Sequence, residues 1–404
     1  MDKIRLAIAG LGQRGYGMIG GFLLFKEVEV VALCDVYQDR VDRAFDKVKE
    51  LRGNEPRKYL EYSDLLKDKG FDAIYIASSW DEHISMAIDS LNAGIVTALE
   101  VGGAYSIDEC FDLVKAYEKT KTPFMLMENC CFGRFELLCT SLARKGMLGE
   151  IVHCRGAYAH DLRDEILGGV VNRHYRLDNY KKRNCDNYPT HALGPLSKIL
   201  DINRGNRFMS LASFASKSAG LKEFTTNKLN PDKNQIGETF KQGDIVNTII
   251  TCANGVTILL TLDTTLPRSY SREFTVRGTK GLCVEDLNMI MTDERDEIPH
   301  EAAPSTLLNK ADNYNDMLPR LWKDITEEEL EAGHGGMDYL MLKTFVNCLK
   351  ENKEFPIDVY DAASWMSITA LSEKSIALGG AVVDCPDFTK GKWIKRERKD
   401  VTEI

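Results

Sequence analysis

The chain has 404 residues, 44% of them hydrophobic and 28% charged, with a formal net charge of −9 and a pI near 5.5. That length exceeds one ordinary domain and predicts two. The composition is that of a globular chain, the acidic balance argues against a nucleic-acid partner, and no apolar run reaches the ~20 residues that span a bilayer. The first strand pattern already begins at Ile4, which leaves no room before it for a signal peptide. The 11 cysteines are scattered without C-x-x-C spacing, and Cys130 and Cys131 are adjacent. That is the pattern of reduced core thiols in a cytoplasmic protein rather than of a disulfide framework.

The residues Lys3 to Gly15 read KIRLAIAGLGQRG, an aliphatic strand pattern (Ile4–Ala9) that ends in G-x-G-x-x-G. In a dinucleotide-binding turn Gly10 permits the tight exit from the strand, Gly12 lets the backbone approach a pyrophosphate, and Gly15 lets the next helix pack closely. The helix N-terminus then offers N–H groups to phosphate oxygens. A second hydrophobic run, Val28–Cys34, ends in Asp35, 20 residues after Gly15. A carboxylate there accepts hydrogen bonds from an adenosine ribose and repels a 2′-phosphate, which favours NAD over NADP.

Further strand patterns at Ala73–Ala77, Ile95–Leu99 and Phe124–Met127 alternate with helical ones at Gln38–Leu51, Ile84–Ala93 and Ile107–Lys119. Ser106 and Asp108 are start signals for the last of these. Such alternation predicts a Rossmann-type, doubly wound parallel sheet whose ligand lies at the carboxyl ends of the strands. The loops that matter are then Ser78–His83, Glu100–Gly103 and Glu128-Asn129.

After about residue 128 the composition changes. A helix at Phe135–Lys145 and a turn at Gly146–Gly149 lead into strands at Ile151–Tyr158, Met209–Phe214, Ile245–Cys252, Thr257–Leu262, Glu273–Gly278 and Gly281–Glu285. Asn254-Gly255 is a hairpin turn signal, and 277–281 reads as another turn. Asp293–Asn315 is polar and reads as a surface excursion, and helices follow at about Asp338–Lys350 and Val359–Leu378. The second half is therefore expected to be an α/β domain with a mostly antiparallel, open sheet. Such a sheet invites pairing with another chain, so a homodimer or larger homo-oligomer is expected. The domain limits expected are 1–128 for the dinucleotide and 129–404 for substrate and assembly.

The strings GLGQRG (Gly10–Gly15), SSWDEH (Ser78–His83), EVGGA (Glu100–Ala104), MENCCFGR (Met127–Arg134), YPTHALGP (Tyr188–Pro195), NRGNRF (Asn203–Phe208), RSYSREFTVRGTKG (Arg268–Gly281) and GHGGMDYLML (Gly333–Leu342) span nearly the whole chain. With them the chain resembles the Gfo/Idh/MocA oxidoreductases, and within these glycoside hydrolase family 109, the NAD-dependent α-N-acetylgalactosaminidases. The resemblance implies cofactor contacts from Gln13, Arg14, Asp35, Trp80, Asp81, Glu82, His83, Glu100, Val101 and Asn129. It implies sugar contacts from Tyr158, Arg176, Tyr188, Pro189, Thr190, His191 and Tyr270. It also implies that the last long helix, about 359–378, returns towards the first domain. In two places the chain departs from the family pattern: Gly102-Gly103 stands where a proline is usual, and Phe132 where a tyrosine is usual.

His191 begins a predicted helix, Ala192–Leu200, whose N-terminus disfavours the imidazolium and so suits a general base. The resemblance then implies a redox-assisted route on an N-acetylhexosaminide-type sugar. His191 takes the proton of the 3-hydroxyl as NAD accepts the C3 hydride, and Tyr158 removes the acidified C2 proton. The C1 group then leaves, water adds and the hydride returns. Two-carboxylate hydrolysis fits less well, since no pair of acids stands out and that scheme needs no dinucleotide. The alternative is an NAD-dependent sugar or polyol dehydrogenase that uses the same His191 and releases the ketone. Val101 in the place of the lysine usual among such dehydrogenases counts against it. A non-catalytic NAD-binding sensor is a third reading, for which Tyr158, Tyr188, His191 and Tyr270 are superfluous. His160, His174, His191 and His334 match no zinc spacing, so no metal is expected. His334, in a glycine-rich turn, is a secondary site candidate.

Overall fold

The computed structural model describes residues 3–296, 304–306 and 308–402. The chain divides into two units, Met1–Asn129 with Ile325–Ala363, and Cys130–Asp324 with Ser364–Ile404.

The first unit is built on six strands: β1 (Ile4–Ala9), β2 (Val28–Cys34), β3 (Arg57–Tyr59), β4 (Ala73–Ile76), β5 (Val96–Leu99) and β6 (Phe124–Leu126). They form one parallel sheet in the order β3-β2-β1-β4-β5-β6. A parallel sheet is covered on both faces, so its central strands need continuous apolar runs. Leu6 to Ala9 and Ala73 to Ile76 supply them and are buried. The strand order reverses at β1, which puts the ligand crevice of this sheet type at the turn that follows β1.

The helices Gln13–Leu23, Gln38–Arg52, Trp80–Asn92 and Ile107–Thr120 connect these strands. The last opens with a capping box, in which the Ser106 side chain accepts the Glu109 N–H and the Glu109 carboxylate accepts the Ser106 N–H. Two features differ from the sequence expectation. β3 and a short helix at Tyr62–Lys67 were not foreseen, and the helix expected from Ile84 begins at Trp80. The Ser78–His83 stretch is thus a strand end and a first helical turn rather than a loop. The helix Met337–Glu351 completes this unit. Tyr339 stacks on Phe25 at 5.2 Å, and Phe345 meets Phe22 edge-on at 6.3 Å.

The second unit holds an eight-stranded sheet in the order β13-β12-β11-β7-β10-β9-β8-β14. Its strands are β7 (Ile151–Ala159), β8 (Phe208–Ala215), β9 (Ile245–Cys252), β10 (Thr257–Asp263), β11 (Thr275–Gly278), β12 (Gly281–Val284), β13 (Met289–Thr292) and β14 (Val383–Asp384). The β7–β10 pair is parallel and the other pairs are antiparallel. The expected hairpin joins β9 to β10, with Gly255 at φ +89° in its turn. Along β9 the pattern alternates: Val246, Thr248, Ile250 and Cys252 are buried, while Asn247, Ile249 and Thr251 are exposed. One face of the sheet is therefore core and the other is open. Of the polar stretch Asp293–Asn315, residues 297–303 and 307 lie outside the described residues. Ten of the eleven cysteines are buried. Among the described residues no helix is long and apolar enough to cross a membrane.

Candidate active site

The turn after β1 is as tight as its glycines suggest. Gly10 has φ +85°, and a Cβ on it would lie 2.5 Å from the Ala77 carbonyl. A Cβ on Gly15 would lie 1.8 Å from the Gly10 oxygen. Side chains are excluded at both positions by neighbouring backbone. At Gly12 the nearest atom to a Cβ would be Arg40 Nη1, at 3.7 Å, so this position is open. Gly12 is also the N-cap of the helix Gln13–Leu23 and brings no capping side chain. Its first-turn N–H groups are left for an anion, which is the donor set that a pyrophosphate requires. Gln13 is exposed on that first turn. Asp35 is buried at the end of β2, where its carboxylate accepts the Leu11 N–H at 2.7 Å and the Tyr37 N–H at 3.0 Å.

Arg14, Glu100 and Asn129 meet in one network of the first unit. Arg14 Nε donates to Glu100 at 3.0 Å, and its two terminal nitrogens donate to Asp338 at 2.8 and 3.0 Å. Tyr75 donates to Glu100 at 2.6 Å, and the Val101 N–H lies 3.3 Å from the second Glu100 oxygen. Asn129 Nδ2 donates to Asp338 at 2.8 Å, and His334 Nδ1 lies 2.8 Å from the same carboxylate. Burial opposes the Asp338 charge, yet the hydrogen bonds from His334 and Arg14, with the Arg14 charge, hold its carboxyl well below the usual carboxylate range. His334 has φ +45° between Gly333 and Gly335, and its side chain is 57% exposed. The Asp338 carboxylate thus orients an exposed imidazole. Tyr75 and Asp338 were missed in the sequence. The only signal for Asp338 was its place in the string GHGGMDYLML.

The first turn of the helix Trp80–Asn92 splits by burial. Trp80 and His83 are buried, whereas Asp81 and Glu82 are exposed. His83 Nε2 lies 2.6 Å from the Ser78 carbonyl oxygen, so that nitrogen carries the proton and donates. Burial pushes the imidazole down to about 4, so it is neutral at physiological pH. A Cβ on Gly102 would lie 2.6 Å from Trp80 Cδ1 and 3.2 Å from His83 Nδ1. The glycine that replaces the usual proline is therefore the space into which these two rings pack. Gly102→Ala is expected to cost about 1–3 kcal/mol by overpacking, read as a lowered thermal midpoint.

In the second unit the predicted sugar-binding residues form one aromatic cluster. Gly156 and Tyr158 share a face of β7, and a Cβ on Gly156 would lie 2.9 Å from Ala192 Cβ. The helix Thr190–Ile199 thus sits directly on the strand and carries His191 beside Tyr158. The ring centroids of Tyr188 and His191 are 4.8 Å apart, of Tyr158 and Tyr188 4.4 Å, and of Tyr158 and His191 5.6 Å. The Arg176 guanidinium lies 5.3 Å from the Tyr188 ring. His160 continues the cluster, 6.3 Å from Tyr158 and 5.3 Å from Tyr270. Burial pushes the Tyr158 phenol up, and the charge and hydrogen bond of Arg176 draw it partly back. Arg176 Nε is 3.1 Å from Glu165, a carboxylate the sequence did not flag. Pro189 and Thr190 play a different part from their neighbours. Pro189 is the N-cap of the helix, and the Thr190 hydroxyl is buried with no hydrogen-bond partner among the described residues.

Tyr270 is held from behind. Its hydroxyl lies 3.4 Å from Arg272, whose guanidinium pairs with Glu136 at 2.5 Å and with Glu285. Burial and the Glu136 carboxylate push Glu285 up to about 8. Cys130 adjoins the cluster, its Sγ within 4.8 Å of a His191 ring nitrogen. Phe132, the second departure from the family pattern, is fully buried, and its carbonyl accepts the Trp322 indole N–H at 2.9 Å. A tyrosine hydroxyl at that position would need a buried partner.

The model of an oxidoreductase family with an NAD-binding Rossmann fold, Gfo/Idh/MocA, matches residues 4–127, and that of the glycosyl hydrolase 109 C-terminal domain matches residues 132–395. The chain belongs to glycoside hydrolase family 109. It is an enzyme with an NAD-binding Rossmann domain. A protein of Tannerella forsythia named alpha-N-acetylgalactosaminidase is 36% identical over 98% of this chain and 88% of its own length. A glycosyl hydrolase family 109 protein of Stenotrophomonas maltophilia is 38% identical over 98% of this chain and 91% of its own. The structure of an oxidoreductase domain protein from Kribbella flavida superposes with a TM-score of 0.70 at 16% identity, covering 96% of this chain and all of that one, and shows the shared fold.

Proposed function

We propose that this family 109 enzyme hydrolyses an α-linked N-acetylgalactosaminide or a close N-acetylhexosaminide, with NAD held by the first unit and the sugar by the second. The observation that carries this reading is the joining of His191, Tyr158, Tyr188 and Arg176 in one cluster of a chain that also builds the dinucleotide turn. Gly10, Gly12, Gln13, Arg14 and Gly15 would hold the pyrophosphate, and Asp35 the adenosine ribose. Trp80, His83, Glu100, Val101 and Asn129 would lie along the rest of the cofactor, with Asp81 and Glu82 at the exposed edge.

When bound, NAD supplies a hydride acceptor at the sugar C3 and returns the hydride at the end. In this reading His191 removes the proton from the 3-hydroxyl. Tyr158 removes the C2 proton, with the Arg176 charge favouring its phenolate against the cost of burial. Tyr188 and Tyr270 would bracket the sugar, and Pro189 and Thr190 fix the helix end that carries His191. His334 is a secondary site candidate, oriented by its contact with Asp338.

The exposed side of the second sheet carries Ala212, Ile249 and Leu259 in one cross-strand row, with Phe214 nearby at 60% exposure. This apolar band supports a homodimer. Ile249→Glu is expected to halve the mass measured by light scattering if the band is buried between two copies. The scattered, mostly buried thiols, without C-x-x-C spacing, fit a reducing compartment, and the cytoplasm is proposed.

The direct test is a panel of aryl glycosides with and without added NAD. Release of the aryl group that requires NAD yet produces no net NADH supports the glycosidase. Steady NADH formation with a free sugar or polyol would instead mark a dehydrogenase.

A further inference from the structure

Behind the aromatic cluster of the second unit lies a buried group of ions that the proposed reaction does not use. Arg272 is 8% exposed and Glu136 only 1%. Glu136 comes from the first turn of the helix Arg134–Arg144, and Glu285 directly follows β12. Both carboxyl groups meet the same nitrogen, Arg272 Nη2. Burial and Glu136 push Glu285 up, so it keeps its proton at neutral pH and one carboxylate faces one guanidinium. Such a group adds little net stability, because the desolvation of its charges offsets their attraction. It does fix the direction of the guanidinium, whose other terminal nitrogen, Nη1, is turned to the Tyr270 hydroxyl at 3.4 Å.

Tyr270 itself is 49% exposed, with the His160 ring edge-on at 5.3 Å. Its backbone is set by β7: the Ser271 N–H donates to the Ala159 carbonyl at 2.9 Å, and the Ala159 N–H to the Ser271 carbonyl at 3.2 Å. That pairing keeps Tyr270 beside the Tyr158 strand but leaves its phenol free to turn. A phenol both donates and accepts. With Nη1 donating to its oxygen, the O–H hydrogen must point away from Arg272, and a charged donor on the oxygen makes that hydrogen a stronger donor in turn.

We propose that Arg272, anchored by Glu136 and Glu285, is a positioning residue that fixes the Tyr270 hydroxyl as a hydrogen-bond donor to an acceptor oxygen of the bound sugar. The proposal rests on the reading of Tyr270 as a sugar contact. Arg272 itself touches no substrate and acts through that hydroxyl. An arginine suits the task because its planar fork serves the carboxyl groups with one nitrogen and the phenol with another, which the single ammonium of a lysine does not.

The experiment is a double-mutant cycle. Steady-state kinetics on an aryl N-acetyl-α-galactosaminide with added NAD are measured for wild type, Tyr270→Phe, Arg272→Lys and the double variant. Tyr270→Phe is expected to raise KM by ~5–15-fold, the loss of one hydrogen bond, and to change kcat less than about threefold, because the contact is made alike in ground and transition states. Arg272→Lys keeps the charge that the carboxylate needs and should raise KM by a similar factor. Added to Tyr270→Phe it should raise KM less than about twofold, since the hydroxyl it acts through is already gone. Should the lysine variant fail to fold, Arg272→Gln combined with Glu136→Gln takes its place in the cycle, removing the guanidinium without leaving a charge unpaired. An unchanged KM for the Arg272 variant, or an equal loss in both backgrounds, would overturn the proposal and leave Tyr270 as a sugar contact. An unchanged KM for Tyr270→Phe would overturn the reading of Tyr270 and the proposal with it. A wild-type enzyme that releases no aryl group in the presence of NAD would overturn the proposed function and, with it, the proposal.

Discussion

Replacing His191 with alanine is expected to lower turnover of an aryl glycoside by ~10²–10⁴-fold, the usual contribution of a positioned general base. His191 stands at the second residue of the helix Thr190–Ile199, only partly buried, with its ring against Tyr188 and Tyr158. Truncation removes the imidazole but leaves the helix, its Pro189 start and the close Gly156–Ala192 contact in place. The thermal midpoint should therefore move little while the rate collapses. Transient reduction of bound NAD, followed by absorbance at the NADH band, should disappear with it. Tyr158→Phe should differ: it keeps that transient and slows the later proton removal. A His191→Ala enzyme that still reduces NAD at the normal rate would assign the 3-hydroxyl proton to another group.

Asp338→Ala is expected to act on stability. Asp338 is a hub that accepts hydrogen bonds from Arg14 and Asn129 and touches His334. Without it Arg14 keeps Glu100 alone, and an arginine charge is left short of a partner. Losing one member of a fully buried pair costs about 3–5 kcal/mol. The Arg14 side chain is 30% exposed, so about 2–3 kcal/mol is expected, a fall of roughly 5–10 °C in the unfolding midpoint of a unit this size. The pH dependence follows from the depressed carboxyl. Its folded value lies below its unfolded one, so its stabilisation is complete above the ordinary aspartate range near ~4 and is lost as pH falls through the folded value. The gap between wild type and Asp338→Ala should therefore be full at neutral pH and narrow in acid. A gap that widens in acid would contradict the network.

Much of this was legible in the residues, for identifiable reasons. β1, β2 and β9 begin and end where the hydrophobic runs do, because those runs are bounded by glycine, aspartate or an Asn-Gly turn. β3 was hidden because Arg57-Lys58-Tyr59 is short and largely exposed, with no apolar alternation to betray it. The early start at Trp80 was hidden because the first turn, Trp80-Asp81-Glu82-His83, carries no aliphatic residue, so the apolar periodicity begins only at Ile84. Among the candidate site residues, His191 and Tyr188 stood out through one dense string. Glu165, Glu136 and Glu285 did not, since a chain with 61 acidic residues gives no reason to single out three. Asp338 meets Arg14 across 324 positions, a pairing that only the fold of 325–363 onto the first unit brings about.

The central claim is that hydrolysis proceeds by elimination after oxidation at C3. Elimination must break the C2–H bond, and simple oxidation at C3 need not. The decisive measurement is hydrolysis of the aryl glycoside in deuterated water, with the released sugar read by NMR. The account predicts deuterium at C2 and none at C3, because the C3 hydrogen leaves and returns as hydride. A sugar released at the normal NAD-dependent rate with only hydrogen at C2 would contradict it.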